Sequence, residues 1–265
     1  MAIPDKDSVR EFWDSRAKLG EKAGTQDLIA RQLEVRAIEE YVKDGMTILD
    51  AGCGKGTTAI ELWRKYKVHI QGVDFSEKMI DAAYNTVSEV IDSDEEYRGS
   101  ISLFTADITK PLNIPLQFDL VYTQRAIINL PDWETQKKTI ELLGSYLKPG
   151  GLYLMCECSK GGLNQINYLR ENADLAPIVP PWHNRYIDDE EIESLCYDQN
   201  SLRLAMRHDF SGTYYFLSRV VNAWLARREG KEPDYNAPVN QLALHLPSID
   251  GFGQVKLWVW QRGDK

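Results

Sequence analysis

The nine residues Ile48-Leu49-Asp50-Ala51-Gly52-Cys53-Gly54-Lys55-Gly56 constrain the fold of this chain more than any other stretch. A short apolar run ends in an acid, and three glycines then alternate with other residues where a helix is expected to begin. Glycine has no Cβ and tolerates positive φ, so such a turn lets backbone approach a ligand closely. The free N–H groups of the helix start point at whatever sits above the strand. A phosphate-loop reading fails, because no Gly-Lys-Ser/Thr follows at the required spacing. A dinucleotide fingerprint would carry its third glycine one residue later, where Thr57 stands. Residues 68–73 read as a second strand, and Asp74 follows it, twenty-two residues after Gly52. An acid there can accept both hydroxyls of a ribose. A small, adenosine-bearing ligand is expected.

The remaining periodicity describes an α/β chain. Strands are expected near 46–51, 68–73, 100–105, 118–123 and 151–157, with helices near 56–66, 77–91 and 132–147. That alternation implies βαβ units, right-handed crossovers and a parallel sheet covered on both faces. Ahead of it, Ser8 with Glu11 reads as a capping box for a first helix carrying Phe12 and Trp13. Leu28, Ile29, Leu33, Ile38, Tyr41 and Val42 form most of a stripe for a second helix over 27–43. Residues 159–187, rich in Gly, Asn and Pro, read as irregular chain. Asp188 and Glu191 then cap a short helix bearing Ile192, Leu195 and Cys196. A sixth strand is expected over 202–207, a long helix over 213–229 and a last strand over 254–260. About forty-five residues separate those strands, too many for a bare loop. A helical insertion over 211–250 is expected, serving as a lid or a homodimer surface.

Composition excludes several classes. The 265 residues carry a net charge of −9, and no basic run exceeds two residues, which argues against nucleic acid as partner. The N-terminus lacks the plan of a signal peptide. No apolar run approaches the ~20 residues that span a bilayer. Cys53, Cys156, Cys158 and Cys196 have no framework spacing, so reduced thiols in a cytoplasmic protein are expected. Cys156 and Cys158 share one face of an expected buried strand and read as core, so no metal is expected.

At this point the chain resembles the class I S-adenosylmethionine-dependent methyltransferases. The resemblance rests on ILDAGCGKG (48–56), GVDFS (72–76), FTADI (104–108), FDLVYTQRAIINLPD (118–132) and LKPGGLYLM (147–155), in the family's order and spacing. It covers about the first 155 residues. It implies a seven-stranded, doubly wound, mostly parallel Rossmann-like sheet whose last two strands form an antiparallel hairpin at one edge. One integrated domain is expected: N-terminal helices (1–45) over the cofactor site, a cofactor-binding core (46–158), and an acceptor loop with a C-terminal cap (159–265).

The resemblance implies S-adenosyl-L-methionine as cofactor, leaving as S-adenosyl-L-homocysteine. By that comparison Asp50 and the turn Gly52, Cys53 and Gly54 hold the methionine portion, with Gln124 beneath it. Asp74 fits the ribose diol, while Phe75 and Met79 can press on the adenine. Asp107 can accept from the adenine amine, with Ile108 walling the ring. Ile128 stands where many members carry His, so the usual placement of a base does not transfer. His183, in the cluster Pro181-Trp182-His183-Asn184-Arg185-Tyr186, is the candidate base. Trp182 and Tyr186 are candidate acceptor walls. Arg125 either grips an acceptor anion or pairs with a nearby helix. The expected reaction is O-methylation of a small polar acceptor, a sugar, glycan end or other metabolite. N- or carboxyl-methylation of a small molecule is the alternative. A nicotinamide oxidoreductase would account for Asp74 but not for Asp107, and a cofactor-binding regulator without turnover would not need so large a cap.

Overall fold

The strands and helices of the first 158 residues come in the predicted order. The structure, a computed structural model, describes residues 5–22, 24–93, 99–114, 117–195 and 202–263. Helices α1 (Lys6–Arg16) and α2 (Leu28–Glu39) precede β1 (Thr47–Ala51). Then come α3 (Thr57–Lys65), β2 (His69–Asp74), α4 (Glu77–Ser93), β3 (Ser100–Thr105), β4 (Phe118–Gln124), α5 (Trp133–Ser145) and β5 (Leu147–Cys158). The remainder holds α6 (Lys160–Asn172), α7 (Asp189–Ser194), β6 (Leu202–His208), α8 (Gly212–Phe216), α9 (Asn222–Arg228), α10 (Pro238–Gln241) and β7 (Val255–Arg262).

The described residues form one seven-stranded sheet in the order β3-β2-β1-β4-β5-β7-β6. β1 to β5 run parallel, and β7 lies antiparallel between β5 and β6. Strands covered on both faces need unbroken apolar runs. Ile48, Leu49, Leu120, Val121 and Leu154 meet that need, each fully buried. Every such side chain contributes roughly 1.5–3 kcal/mol. Strand order reverses between β1 and β4, and in open α/β sheets the ligand crevice opens at such a point, beyond the carboxyl ends. Register aligns those ends: Asp50 lies opposite Gly72 and Tyr122, and Asp74 opposite Thr105.

Three expectations are corrected. The first helix is capped by Asp5, whose carboxylate accepts from the N–H groups of Asp7 and Ser8, so Ser8 lies inside the first turn. Residues 160–172 are helical rather than irregular, with Ser159 as the cap and Leu163 and Ile166 buried. Gly162 is there for packing: a Cβ would stand 1.9 Å from the carbonyl oxygen of Gly253. The long helix is interrupted, α8 passing through a π turn (Leu217–Val221) into α9. Cys196 lies outside the described residues.

Candidate active site

The glycine turn is built by strain that only glycine accepts cheaply. Gly52, Gly54 and Gly56 have φ of 85°, 52° and 68°. A Cβ on Gly52 would sit 2.4 Å from that of Ala126, so the turn and the segment after β4 touch at that point. Gly56 caps α3 without a side chain, leaving the first-turn N–H groups free of a side-chain acceptor.

The turn forms the floor of a cleft of about 320 Å³ at the sheet's switch point. Asp50, Gly52, Cys53, Gly54, Asp74, Phe75, Met79, Asp107, Ile108, Gln124 and Arg125 all line it. Asp74 accepts from the N–H of Gly54 and of Ser76, both at 2.9 Å. Burial pushes its carboxyl up to about 6 despite those donors. Asp50 accepts from the Tyr122 hydroxyl at 2.6 Å, and burial takes it to about 7. Burial raises the Cys53 thiol well above the usual range. At the far end, burial pushes Asp107 up, but donors from Lys6 and Thr109 outweigh it and the net shift is downward.

Helix α1 roofs this end. Lys6 pairs with Asp107, Val9 and Trp13 line the cleft, and the Trp13 indole donates to Asn129 Oδ1 at 3.2 Å. Arg10 lies over the Phe75 ring, 5.7 Å from its centroid.

The opposite end is a polar mesh. Thr58 donates to Gln124 Oε1 and Gln124 Nε2 donates to Glu34 Oε2, each at 2.7 Å. Arg125 adopts φ 54°, unusual for a residue with a Cβ. Its Nε donates to Glu34 Oε1 at 2.9 Å and Nη2 donates to the same oxygen. Burial lowers the Arg125 pKa, but Glu34 more than reverses that. The guanidinium is therefore engaged by a helix of this chain, the second of the two roles its position allows.

His183, Trp182 and Tyr186 are not brought into the cleft wall. The His183 ring packs on Phe12 at 4.2 Å between centroids and edge-on to Trp13 at 5.7 Å, so it stands behind the roof. Burial, with the nearby Arg16, lowers it to about 4. Trp182 is half exposed, edge-on to Phe12. The Tyr186 hydroxyl accepts from Gln254 at 2.9 Å, and its ring borders a separate depression with Lys160 and Arg185.

Glu157 and Arg31 are among the residues that the sequence reading missed. Glu157, fully buried, accepts from the N–H groups of Ala126, Ile127 and Ile128 at 3.0, 3.0 and 3.3 Å, and burial pushes it up to about 7. It fixes the segment that abuts Gly52. Its only signal was an acid inside an apolar strand, where a carboxylate needs donors. Arg31, on α2, also lines the cleft; nothing in the sequence separates it from other surface arginines.

Sheet order, glycine turn and the two strand-end acids together define a class I methyltransferase fold with S-adenosylmethionine as its cofactor. The chain belongs to a methyltransferase domain family, which matches residues 42–213. Among curated proteins it is similar to phosphoethanolamine N-methyltransferase 2 of Caenorhabditis elegans, 32% identical over 122 residues, 45% of this chain and 25% of that protein. It is also similar to 27-O-demethylrifamycin SV methyltransferase of Amycolatopsis mediterranei (strain S699), 27% identical over 146 residues, 53% and 47% of the two chains. The matched stretch thus spans a quarter to a half of those relatives. A magnesium protoporphyrin IX methyltransferase from Synechocystis PCC 6803, solved with bound SAH, shares the fold at a TM-score of 0.62 and 16% identity, over 98% of this chain and 100% of that one.

Proposed function

We propose that this protein transfers a methyl group from S-adenosylmethionine to a small polar molecule. The observation that carries the reading is a single cleft that runs from Asp107 past Asp74 and the glycine turn to Gln124. The donor set suits the cofactor part by part. Asp74 keeps lone pairs for the ribose hydroxyls beyond its two backbone donors, since a carboxylate has about four acceptor sites. Asp107 offers the same to the adenine amine beside Lys6, with Phe75, Met79 and Ile108 flanking the ring. Asp50, Cys53 and Gln124 border the methionine portion. At Gly54, where a Cβ would meet nothing within 4 Å, the turn stays open to it. When bound, the cofactor supplies a methyl group on a sulfonium centre, which leaves with the C–S electron pair as the acceptor's lone pair bonds to carbon.

The acceptor side is bounded by Trp13, Asn129, Leu130 and Pro131. At about 320 Å³ the cleft is at the small end of ligand pockets, so only a short reactive end of the acceptor shares it with the cofactor. A sugar or glycan hydroxyl would need a side chain to take its proton. Glu34 is held by Arg125 and Gln124, and His183 stands behind Trp13. Those commitments support a carboxylate oxygen, or an amine nitrogen that gives its ammonium proton to water before it enters the cleft, over the hydroxyl. The relatives include both N- and O-methyltransferases, so the choice of atom rests on the site. In this reading His183 props the roof through Phe12 and Trp13.

The test is transfer of labelled methyl groups to panels of small amines, carboxylic acids and sugars. Label on an amine or acid is expected. Label on sugars alone, lost in His183→Ala, would restore the hydroxyl reading, and binding of NADH without S-adenosylhomocysteine would overturn the cofactor.

A further inference from the structure

Asn129 brings one carbonyl oxygen to the acceptor side of the cleft, and its neighbours settle which way the amide points. Its Nδ2 donates to the Arg125 carbonyl at 2.7 Å, and its Oδ1 accepts from the Trp13 indole at 3.2 Å. Turned over, the amide would set oxygen against a carbonyl and N–H against N–H, so Oδ1 is the atom that faces Trp13. The base of the side chain is held as firmly. Asn129 closes a short helical turn (Ile127–Asn129), and its own N–H donates to the carbonyl of Ala126. The three amides before it are the ones that Glu157 binds.

An amide oxygen has two lone pairs, and Trp13 takes one. What the other can meet depends on its surroundings. Asn129 and Trp13 line the cleft together with Leu130 and Pro131, none of them charged. Lys6 and Arg125, also on the cleft, are paired with Asp107 and Glu34. A carboxylate nucleophile would therefore face a carbonyl oxygen with no cation to offset the repulsion. A hydroxyl could donate to Oδ1, but an amide is too weak a base to take its proton. An amine N–H is received without either cost.

Resting on the reading of this cleft as a methyl-transfer site, we propose that Asn129 selects an amine that still carries an N–H, receiving it on Oδ1 and leaving the nitrogen lone pair free for the methyl group. The lone pair forms the new N–C bond and the C–S pair stays with sulfur. Nitrogen gains positive charge while its N–H remains on Oδ1, and a hydrogen bond from a cationic donor is the stronger one. The proton is then shed to water. A neutral tertiary amine has no N–H to offer, so methylation stops at that stage and no quaternary product forms.

Two measurements on the full chain test this. In transfer of labelled methyl groups the probes are benzylamine, its N-methyl and N,N-dimethyl forms, and phenylacetate, whose ring suits the apolar wall. The first two should exceed the others by roughly 10- to 100-fold, the range carried by a hydrogen bond to a charged group. Asn129→Leu should remove that preference and leave affinity for S-adenosylhomocysteine within about twofold. Trp13→Phe, which leaves Oδ1 in place, should keep the preference. In calorimetry on protein saturated with S-adenosylhomocysteine, benzylamine should bind more tightly than phenylacetate, and about equally in Asn129→Leu. Asn129→Asp should bind benzylamine more tightly yet turn it over more slowly at neutral pH, because a carboxylate favours the protonated amine, whose lone pair is occupied. A quaternary product formed as readily as the tertiary one, label on none of the amines, or an unchanged preference in Asn129→Leu would overturn the proposal. If the unaltered protein does not bind S-adenosylhomocysteine, the cofactor reading itself fails, a result distinct from failure of the Asn129 assignment.

Discussion

The half of the molecule that builds the cleft and the half that caps it are held by different means. From β1 to β5, the groups on the cleft come from consecutive strand ends, and neighbours in space are set by strand register. Between β6 and β7 the ties are side chains reaching across the fold. Tyr214 and Arg219 both donate to Asp27, the latter at 2.6 Å, and Arg219 also lies 4.2 Å from the Tyr235 ring centroid. Asp209 accepts from Gly251 and Gly253 at 2.8 and 3.1 Å, and Thr213 donates to the carbonyl of Pro247 at 2.6 Å. In the register-built region the placing of the cleft groups depends on backbone pairing and on the turn. A side-chain-built region depends on a few buried polar groups.

The largest effect should come from Asp27→Ala, which leaves the partly buried Arg219 without its carboxylate and removes the cap of α2. A loss of about 3–5 kcal/mol is expected in denaturant unfolding, with the folded fraction still binding S-adenosylhomocysteine. Lost binding by the folded fraction would erase the distinction between the halves. Asp74→Ala should do the reverse, weakening S-adenosylhomocysteine by about 100-fold in calorimetry with far-UV circular dichroism unchanged. Gly52→Ala should combine both, lowering stability by roughly 1–3 kcal/mol through its positive φ, and weakening cofactor binding because Ala126 must shift.

Acidity sharpens the contrast further. Unfolded carboxyls titrate near ~4, whereas Asp74 is pushed to about 6 and Asp50 and Glu157 to about 7 in the fold. Between those limits the folded state binds more protons, so the contribution of these groups to stability falls as pH rises from about 4 to 7. Thermal melts should show a slope of that sign in the window, reduced in Glu157→Gln. Cofactor affinity should move oppositely, weakening as pH falls through about 6 and Asp74 takes up its proton. The smallest expected effect is that of His183→Ala: a few-fold rise in the acceptor KM with kcat retained, consistent with a ring that supports Trp13.

Legibility in the sequence divides along the same line. Residues 46–158 were readable because glycines, strand-end acids and apolar runs report local backbone geometry, and neighbours there are fixed by the alternation itself. That logic reached Asp74, while Asp50, Asp107 and Gln124 came from the family resemblance; all four line the cleft. Helix α6 was not readable because Gly161 and Gly162 look like loop residues, while Gly162 answers to a carbonyl ninety-one residues away. The role of Arg125 stayed open because its partner Glu34 is equally distant in sequence. Glu157 and Arg31 were invisible for the same reason: each is defined by what it meets across the fold.

The sheet order carries a consequence for how the chain assembles. Among the described residues β6 is hydrogen-bonded to β7 and to no other strand of the sheet, and β7 lies about forty-five residues further along. During synthesis from the ribosome, β1 to β5 can join as they emerge, but β6 must wait unpaired until β7 slots in beside β5. The Asp27 tie anchors the intervening segment to α2, so its loss should prolong the unpaired interval and favour aggregation before it affects catalysis.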